Sequence, residues 1–350
     1  HNSNLSNGYM FEEPDQDEIL IQSTKEPLVE IFQHKGSSEC NIDPNDPLCN
    51  FEQLPYKDFR SKFQNDLSSS PDSSFVREAL GKGLLSQDRQ SINPLKFGVI
   101  ASTDTHLGTP GAVDESSFQG HGGAGKSFRS SIPEGLPDDI EFNPGGLAVA
   151  WAEENSRSAI FDAFQRKEVY GTSGPRFIVR FFVGDNLDKN LCKNPDNISY
   201  AYANATPMGG TIASDSLSQP SIFISASADS SIKDQFIEKL QVVKGVVRNG
   251  ELLTTVHDVG VTNAQSNLDI ANCEVTGYGE KAMCSVWNDP NFNSSENAYY
   301  YVRVVANKSC RWSHNLCLQN PEYCEADSDA SIPKVIQERA WTSPVWLEKT

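Results

Sequence analysis

The stretch from Phe97 to His106 is the part of the sequence that most constrains the fold and the chemistry of this chain. An apolar run, Phe97 to Ala101, leads directly into polar residues, and an apolar run bounded by turn residues predicts a buried strand. Because side chains alternate along a strand, Asp104 and His106 are expected to point the same way. A carboxylate beside an imidazole at a strand end suits a divalent metal ion. The alternative is an Asp–His hydrogen bond that only closes the strand.

The charge of the chain excludes several classes of partner. Lys and Arg total 29 against 47 Asp and Glu, which gives a formal net charge of −18. A surface this acidic repels nucleic acid and anionic membranes, so neither is expected as a partner. No run of residues approaches the roughly 20 apolar positions of a membrane span. An anionic substrate would be repelled too, unless metal ions and local cationic side chains reverse the field inside a pocket.

The eight cysteines indicate an oxidising compartment. None of them forms a C-x-x-C pair, so a zinc ribbon is not expected. Short separations in loop-like sequence favour local disulfides, and Cys40–Cys49 and Cys273–Cys284 are the predicted pairs. The even count favours an exported protein, periplasmic or extracellular, whereas eight reduced and buried thiols are the alternative.

The first half of the chain alternates predicted strands and helices. A strand over 26–32 is followed at once by polar residues up to Glu39, and barrel enzymes place catalytic groups just past strand ends. A helix is predicted over 74–83, where Gly83 ends it. A further buried strand covers 146–152. The next helix covers 155–164, with Ser156 near its N-cap and three apolar side chains directed inward: Ile160, Phe161 and Phe164.

The second half is rich in predicted strands joined by turns, with little helix. This pattern favours an all-β sandwich-like domain over 176–350. Asn249-Gly250 predicts a hairpin turn between two of the strands. The strands are predicted over 177–183, 221–226, 240–247, 252–257 and 298–305.

A glycine-rich segment lies within the first half of the chain. Residues 107–147 include Gln119-Gly-His-Gly-Gly-Ala-Gly125, which could cradle a phosphate. It does not match the Walker pattern, so a mobile lid or crossover loop is the competing interpretation.

Seven motifs in one order resemble the DUF3604 family, which is similar to the PHP (polymerase and histidinol phosphatase) metal-dependent phosphoesterases. The resemblance extends over nearly the whole chain. The motifs are His1-Asn-Ser-Asn-Leu-Ser-Asn-Gly8, Glu30-Ile-Phe-Gln-His-Lys-Gly-Ser-Ser-Glu39, Phe75-Val-Arg-Glu-Ala-Leu80, Ser102-Thr-Asp-Thr-His106, Glu154-Asn-Ser-Arg-Ser-Ala-Ile-Phe-Asp-Ala163, Tyr170-Gly-Thr-Ser-Gly-Pro-Arg176 and Arg339-Ala-Trp-Thr-Ser-Pro-Val-Trp346.

The resemblance implies an α/β fold, with the C-terminal part of a distorted PHP-like β/α barrel over 1–175 and the β-rich sandwich-like domain over 176–350. The H-x-H element that opens PHP domains is absent from the sequence. We therefore expect the chain to be the C-terminal portion of a longer protein, accompanied by an N-terminal segment or chain that carries H-x-H.

The resemblance also implies two or three divalent metal ions (Zn, Mn or Fe) in the intact protein. Lys35 would supply positive charge to an anionic small-molecule substrate, and His34 is its catalytic neighbour. Arg157 and Arg176 could clamp a phosphate or sulfate, or be structural. The expected metal ligands are His1, Asp104 and His106, with Glu30 and Glu39 as further ligands or ligand-orienting groups.

The implied activity is metal-assisted hydrolysis, with a phosphate mono- or diester as the leading substrate class. Two other interpretations stay open at this point. The protein could be a non-catalytic cell-surface module that binds glycans or a partner, with the barrel as scaffold. Alternatively, His1 as a mature N-terminus could chelate copper together with His106, as in oxidative polysaccharide-cleaving enzymes.

Overall fold

The computed structural model describes residues 21, 24–53, 75–105, 108, 110–118, 142–263, 266–319, 321 and 333–349. Among these residues β-sheet predominates, and the strands form open sheets rather than a closed barrel. The predicted α/β class with a PHP-like β/α barrel is therefore wrong for this part of the chain. A β/α barrel needs successive parallel strands, whereas in the described ranges all but two of the strand pairings are antiparallel.

The strands are numbered in chain order through the described residues. They are β1 Leu28–Gln33, β2 Gly36–Ser37, β3 Gly98–Ala101, β4 Leu147–Ala150, β5 Val169–Thr172, β6 Ile178–Asp185, β7 Ala205–Pro207, β8 Thr211–Ala213, β9 Pro220–Ser227, β10 Ile237–Arg248, β11 Glu251–Val261, β12 Ser266–Asp269, β13 Glu274–Gly277, β14 Ala282–Asn288, β15 Ala298–Cys310, β16 Val335–Thr342 and β17 Val345–Glu348.

A small sheet in the order β2-β1-β3 carries the first two predicted strands. β1 and β3 run parallel, with Leu28 opposite Gly98 and Phe32 opposite Ala101. Val29, Ile31 and Phe32 are buried, as the apolar sequence predicted. Since parallel strands end at the same edge of a sheet, the polar residues after β1 and after β3 emerge side by side.

The largest sheet has the order β11-β10-β15-β16-β5-β4, and β17 joins β15 to β8. β4 is an edge strand with half-exposed side chains, not the buried strand predicted over 146–152. β4 and β5 precede residue 175, whereas the other strands follow it. The predicted domain boundary at residue 175 stays a prediction. The largest sheet contains strands from both sides of that boundary.

A four-stranded sheet, β14-β9-β6-β7, shares an apolar core with the largest sheet, and β12 pairs with β13 separately. Phe181 and Ile224 of the smaller sheet are buried in the same cluster as Val242 and Val302 of the larger one. The alternating apolar residues of these strands explain why the two sheets pack face to face. The hairpin prediction is confirmed, because Asn249 and Gly250, with φ of 54° and 80°, connect β10 to β11.

Four α-helices lie in the described residues. Gly81 and Gly83 lie inside the first and allow close packing, since a Cβ on Gly81 would come within 2.0 Å of Leu252. The predicted helix end at Gly83 is therefore wrong. The helices are α1 Val76–Gln90, α2 Arg157–Gln165, α3 Asn197–Asn204 and α4 Trp312–Gln319, and short 3-10 turns cover Pro47–Asn50, Leu191–Lys193 and Ser214–Ser216.

α2 begins where the sequence predicts. The Ser156 hydroxyl caps it by accepting a hydrogen bond from the amide of Ala159. Phe161 was expected to point inward, but 57% of its surface is exposed. The buried face of α2 is narrower than the apolar pattern predicted, with Ala163 as its fully buried residue.

Three disulfides join described cysteines. Cys40–Cys49 confirms one predicted pair, but Cys284 pairs with Cys192 and Cys273 pairs with Cys310, so the predicted Cys273–Cys284 bond is wrong. Proximity in the sequence did not predict the partner of Cys284, because the pairing of β9 with β14 brings Cys284 beside the 3-10 turn of Cys192. Cys317 is disulfide-bonded as well. None of the described helices is long and apolar enough to span a membrane.

Candidate active site at the ends of β1 and β3

Polar residues from two distant parts of the sequence meet where β1 and β3 end. β1 continues into Gln33, His34 and Lys35, and β3 continues into Ser102–Thr105. The parallel register places these segments next to each other, and the amide of Ser102 donates to the carbonyl of Phe32. This edge is where the sequence predicted the chemistry to lie.

Asp104 is the centre of the cluster. The amide of Gln33 donates to its Oδ2 at 3.1 Å, and the ammonium of Lys35 lies 2.9 Å from the same oxygen. Asp104 has a φ of 52°, a left-handed conformation that is uncommon outside glycine and often marks a functional loop. Its side chain is 29% exposed and that of Lys35 is 14% exposed, so both remain accessible to a ligand.

His34 is buried beside this pair. Its Nδ1 lies 2.9 Å from the carbonyl oxygen of Thr103, and since a carbonyl can only accept, Nδ1–H is the donor. When the ring is neutral, this hydrogen bond leaves the lone pair on Nε2. Phe142 packs on the ring with a centroid distance of 5.1 Å, and Oδ2 of Asp104 lies 3.8 Å from Nδ1.

Glu30 lies lower on β1 than this cluster. It is half-buried and opposite Ile100, and its carboxylate accepts a hydrogen bond from the hydroxyl of Ser102. This contact holds the start of the loop that carries Asp104. Two roles were expected for Glu30, metal ligand or orienting group. The described contacts support the orienting role.

Glu39 lies in a different environment from the one expected of a metal ligand. Its Oε1 accepts from Arg77 at 2.9 Å and from Arg303 at 3.0 Å, and its Oε2 accepts from the indole of Trp341 at 2.7 Å. Burial alone would raise the pKa of Glu39, but the nearby guanidinium groups, Arg303 foremost, lower it to about 2. Both carboxylate oxygens are engaged in ion pairs, which leaves Glu39 poorly suited to bind a metal.

The ion-pair cluster around Glu39 continues to the disulfide loop. Asp46 lies between Cys40 and Cys49 and accepts from Arg303 at 2.8 Å and from Arg77 at 2.9 Å. We call Glu39, Asp46, Arg77 and Arg303 the buried ion-pair cluster. It fastens the chain after β2 to β15 and to α1.

Several predicted site residues cannot be placed. His1, His106 and the segment Gln119–Gly125 lie outside the described residues. Arg157 opens α2, and Arg176 is an exposed residue that lines a cavity together with Gly174 and Pro175. The described residues show no phosphate clamp formed by these two arginines.

Two groups of side chains come close enough together to suggest a metal site. They are Cys273, Cys310 and His314, and Cys40, Asp46 and Cys49. In both groups the two cysteines form a disulfide with each other, and metals bind thiolates rather than disulfide sulfurs. Neither group is therefore a metal site in the oxidised protein.

The sequence comparisons agree with the motifs. The family model described as "Protein of unknown function (DUF3604)" matches residues 1–349. The chain belongs to the DUF3604 family. No curated protein and no solved structure matches it.

In this DUF3604 chain, sequence reasoning missed two contributors to the site. Gln33 was not singled out, although it precedes His34 at the same strand end and binds Asp104. Phe142, which packs on His34, lies at the end of the glycine-rich segment, where nothing in the local sequence connects it to β1. The first could have been found by extending the strand-end argument by one residue, but the second required the fold.

Proposed function

We propose that this DUF3604 protein is a metal-dependent hydrolase that acts on a phosphate mono- or diester. The observation that carries the proposal is the meeting of Asp104, Lys35 and His34 at the shared edge of β1 and β3. A carboxylate, an ammonium and an oriented imidazole within one small area are the groups that hydrolysis of an anionic ester needs.

The donor set fits a divalent ion in part. Asp104 offers an accessible carboxylate. The His34 nitrogen near it, Nδ1, is bonded to the carbonyl of Thr103, and Nε2 is buried, so His34 stays a proposed catalytic residue rather than a metal ligand. Glu39 does not fit, for the reason given above. When bound, a Zn, Mn or Fe ion would lower the pKa of a coordinated water and stabilise negative charge on the ester. His1 and His106 remain proposed ligands.

Lys35 supports an anionic substrate. In a protein with a net charge of −18, an anion needs local positive charge in order to enter a site. The ammonium of Lys35 is held by Asp104, and the Lys35 side chain is 14% exposed. Gln33 accepts a hydrogen bond from the backbone amide of Lys35 at 2.9 Å, which fixes the chain at this point.

The same proposal includes a relation to the PHP phosphoesterases in chemistry. It does not include their β/α barrel, which the described residues do not form. The motifs around Asp104 and Lys35 are those of the DUF3604 family, and the likeness of that family to PHP enzymes is part of what we propose. The proposal therefore includes two or three ions in the intact protein and an N-terminal segment or chain that carries H-x-H. We also propose export to the periplasm or the extracellular space, which the three disulfides support.

The test is hydrolysis of p-nitrophenyl phosphate and bis-p-nitrophenyl phosphate by the full-length protein loaded with Mn²⁺, Zn²⁺ or Fe²⁺. Asp104→Asn should lower kcat by about 100-fold or more, as loss of a group in a metal site does. Asp188→Asn is the matched control, since Asp188 is exposed and only caps a turn by accepting from the amide of Asn190.

Equal turnover by D104N and the wild type would overturn the assignment of this site. Metal binding without any turnover would instead favour the non-catalytic binding protein. Metal content measured on the same preparations separates these outcomes, because D104N should lose bound metal if Asp104 is a ligand.

A further inference from the structure

The disulfide between Cys273 and Cys310 has a histidine beside it. A ring nitrogen of His314 and the two sulfurs all lie within 4.8 Å of one another. The Nε2–H of His314 donates to the carbonyl oxygen of Ile270 at 2.8 Å, which holds the imidazole in this position. The disulfide therefore has a neighbour that can deliver a proton to a sulfur atom.

The same disulfide borders a cavity. Cys273 is half-buried, Cys310 is 5% exposed, and both line the cavity of about 790 Å³ that Arg176 also lines. Cys273 lies in the turn between β12 and β13 with a φ of 54°, a left-handed conformation that is uncommon outside glycine and often marks a functional position. A small molecule in the cavity can therefore approach the sulfur of Cys273.

The other two disulfides between described cysteines each lack one of these features. Both cysteines of Cys40–Cys49 are buried, at 1% and 2% exposure, and the side chain that meets their sulfurs is the carboxylate of Asp46. Cys284 of Cys192–Cys284 is exposed, but among the described residues no imidazole or carboxylate lies within 4.8 Å of both of its sulfurs. Cys192–Cys284 therefore serves as the comparison for an accessible disulfide without a histidine.

We propose that Cys273–Cys310 is a site of thiol–disulfide exchange with a small thiol. The thiolate of the incoming molecule attacks Sγ of Cys273, the more exposed of the two sulfurs, and the bond between the cysteine sulfurs breaks. The electron pair of that bond stays on Sγ of Cys310, and the imidazolium of His314 gives this sulfur its proton. The products are a mixed disulfide on Cys273 and a thiol at Cys310, so the step is an exchange without net oxidation or reduction.

The charge of the cavity favours a thiol that also carries a positive group. Its described lining contains more acidic than basic side chains: the basic ones are Arg176 and Lys233, and the exposed acidic ones include Asp114, Asp234 and Glu274. Glu274 directly follows Cys273 in the chain. Because such a lining repels an anionic thiol and attracts one with an ammonium group, the partner class is a small cationic thiol.

A purely structural disulfide is the competing explanation. In that case His314 only fastens α4 to the turn that contains Ile270, and Cys273–Cys310 opens no faster than another accessible disulfide. A neighbouring imidazolium instead stabilises the leaving thiolate, and exchange is faster when the leaving thiol has a lower pKa. Since the two explanations differ in rate, the experiment compares two disulfides of the same molecule.

The experiment is exchange of the native full-length protein with cysteamine and with mercaptoethanesulfonate, quenched with N-ethylmaleimide and followed by peptide mapping without reduction. Cys273–Cys310 should open with cysteamine at least about 10-fold faster than Cys192–Cys284, because its leaving sulfur lies next to an imidazole. The mixed disulfide should be found on Cys273 and the alkylated thiol on Cys310. The ratio of the cysteamine rate to the sulfonate rate should be higher for Cys273–Cys310 than for Cys192–Cys284.

His314→Gln tests the proton donor. Glutamine keeps an amide that can donate to the carbonyl of Ile270 but cannot protonate a thiolate, so the opening of Cys273–Cys310 should slow by about 10-fold. His257→Gln is the matched control, since His257 is a half-buried histidine of β11 that packs on Trp287, and the opening rate of Cys273–Cys310 should be unchanged.

Three results would each overturn the proposal. They are equal opening rates of Cys273–Cys310 and Cys192–Cys284 in the wild type, an unchanged rate in H314Q, and an adduct found only on Cys310. An equal thiol preference of the two disulfides would overturn the assignment to a cationic thiol. If H314Q does not fold, the wild-type rates and the position of the adduct decide between exchange and a purely structural disulfide.

Discussion

The ammonium of Lys35 lies 2.9 Å from Oδ2 of Asp104, although the two residues are 69 positions apart and follow different strands. The contact exists because β1 and β3 are parallel neighbours that end at one edge. It places a positive charge beside the carboxylate proposed to hold a metal. In the proposed function, Asp104 would bind the cation and Lys35 would bind the anionic ester.

Replacing Lys35 should affect substrate binding more than turnover. In Lys35→Ala the site loses its local positive charge, so we expect KM for p-nitrophenyl phosphate to rise about 10-fold, which corresponds to about 1.4 kcal/mol. The measurement is steady-state kinetics at constant metal concentration. Lys189→Ala, which removes an exposed lysine, should leave KM unchanged, and a KM in K35A equal to the wild-type value would contradict the role of Lys35.

Replacing Glu39 should lower the stability of the folded protein. Glu39→Gln removes one of the two buried carboxylates that Arg303 and Arg77 share, the other being Asp46, and breaking a buried ion pair costs about 3–5 kcal/mol. Urea unfolding followed by tryptophan fluorescence measures the loss. Glu296→Gln is the control, because solvent screens its pair with the exposed Arg248, and the loss of stability should be much smaller. Similar losses in the two variants would refute the distinction.

The same carboxylate should contribute to acid sensitivity. The pKa of Glu39 is about 2 in the folded protein, below its ordinary value of 4.5. A lowered pKa means that the stability from Glu39 is fully present above pH 4.5 and is lost as the pH falls toward 2. The difference in unfolding free energy between wild type and E39Q should therefore shrink over this window. A constant difference would argue against the lowered pKa.

Glu115 should have the opposite effect on the pH dependence of stability. Burial, with the charge of Glu52, raises the pKa of Glu115 to about 8. The folded state then holds a proton that the unfolded chain releases, so the wild type loses stability as the pH rises from about 4.5 to about 8. In Glu115→Gln that loss should be absent. Chemical denaturation at four or five pH values tests this, and parallel pH profiles for the two proteins would count against it.

The disulfide pattern can be checked directly. Peptide mapping without reduction should give peptides that link Cys192 to Cys284 and Cys273 to Cys310, besides Cys40 to Cys49. A peptide that joins Cys273 to Cys284 would contradict the arrangement of β9 and β14. Free thiols at all of these positions would remove the support for export.

The sequence predicted local features well. The two strand ends that carry Lys35 and Asp104, the serine cap of α2 and the Asn249-Gly250 turn depend on neighbouring residues, and all were found. The end of α1 was missed because Gly81 and Gly83 serve close packing against Leu252 and Asn93 and not helix termination.

Long-range arrangements were predicted poorly. Apolar runs identify buried strands but do not show which strands pair. The barrel was therefore predicted wrongly, and the described strands form open sheets. Glu39 was expected near the metal because it follows β1 in the same motif. Its partner Arg303 is 264 positions away in the sequence, and no local sequence pattern predicts that ion pair.

The buried ion-pair cluster has a consequence for how the chain can be divided. Arg303 contacts Glu39 and Asp46 from β15, so a fragment that stops before β15 would lose Arg303 and leave Arg77 alone to balance the two buried carboxylates. Their mutual repulsion would then act on the very loop that precedes α1. Separately expressed halves should for this reason be insoluble or unfolded alone, yet regain structure when they are refolded together.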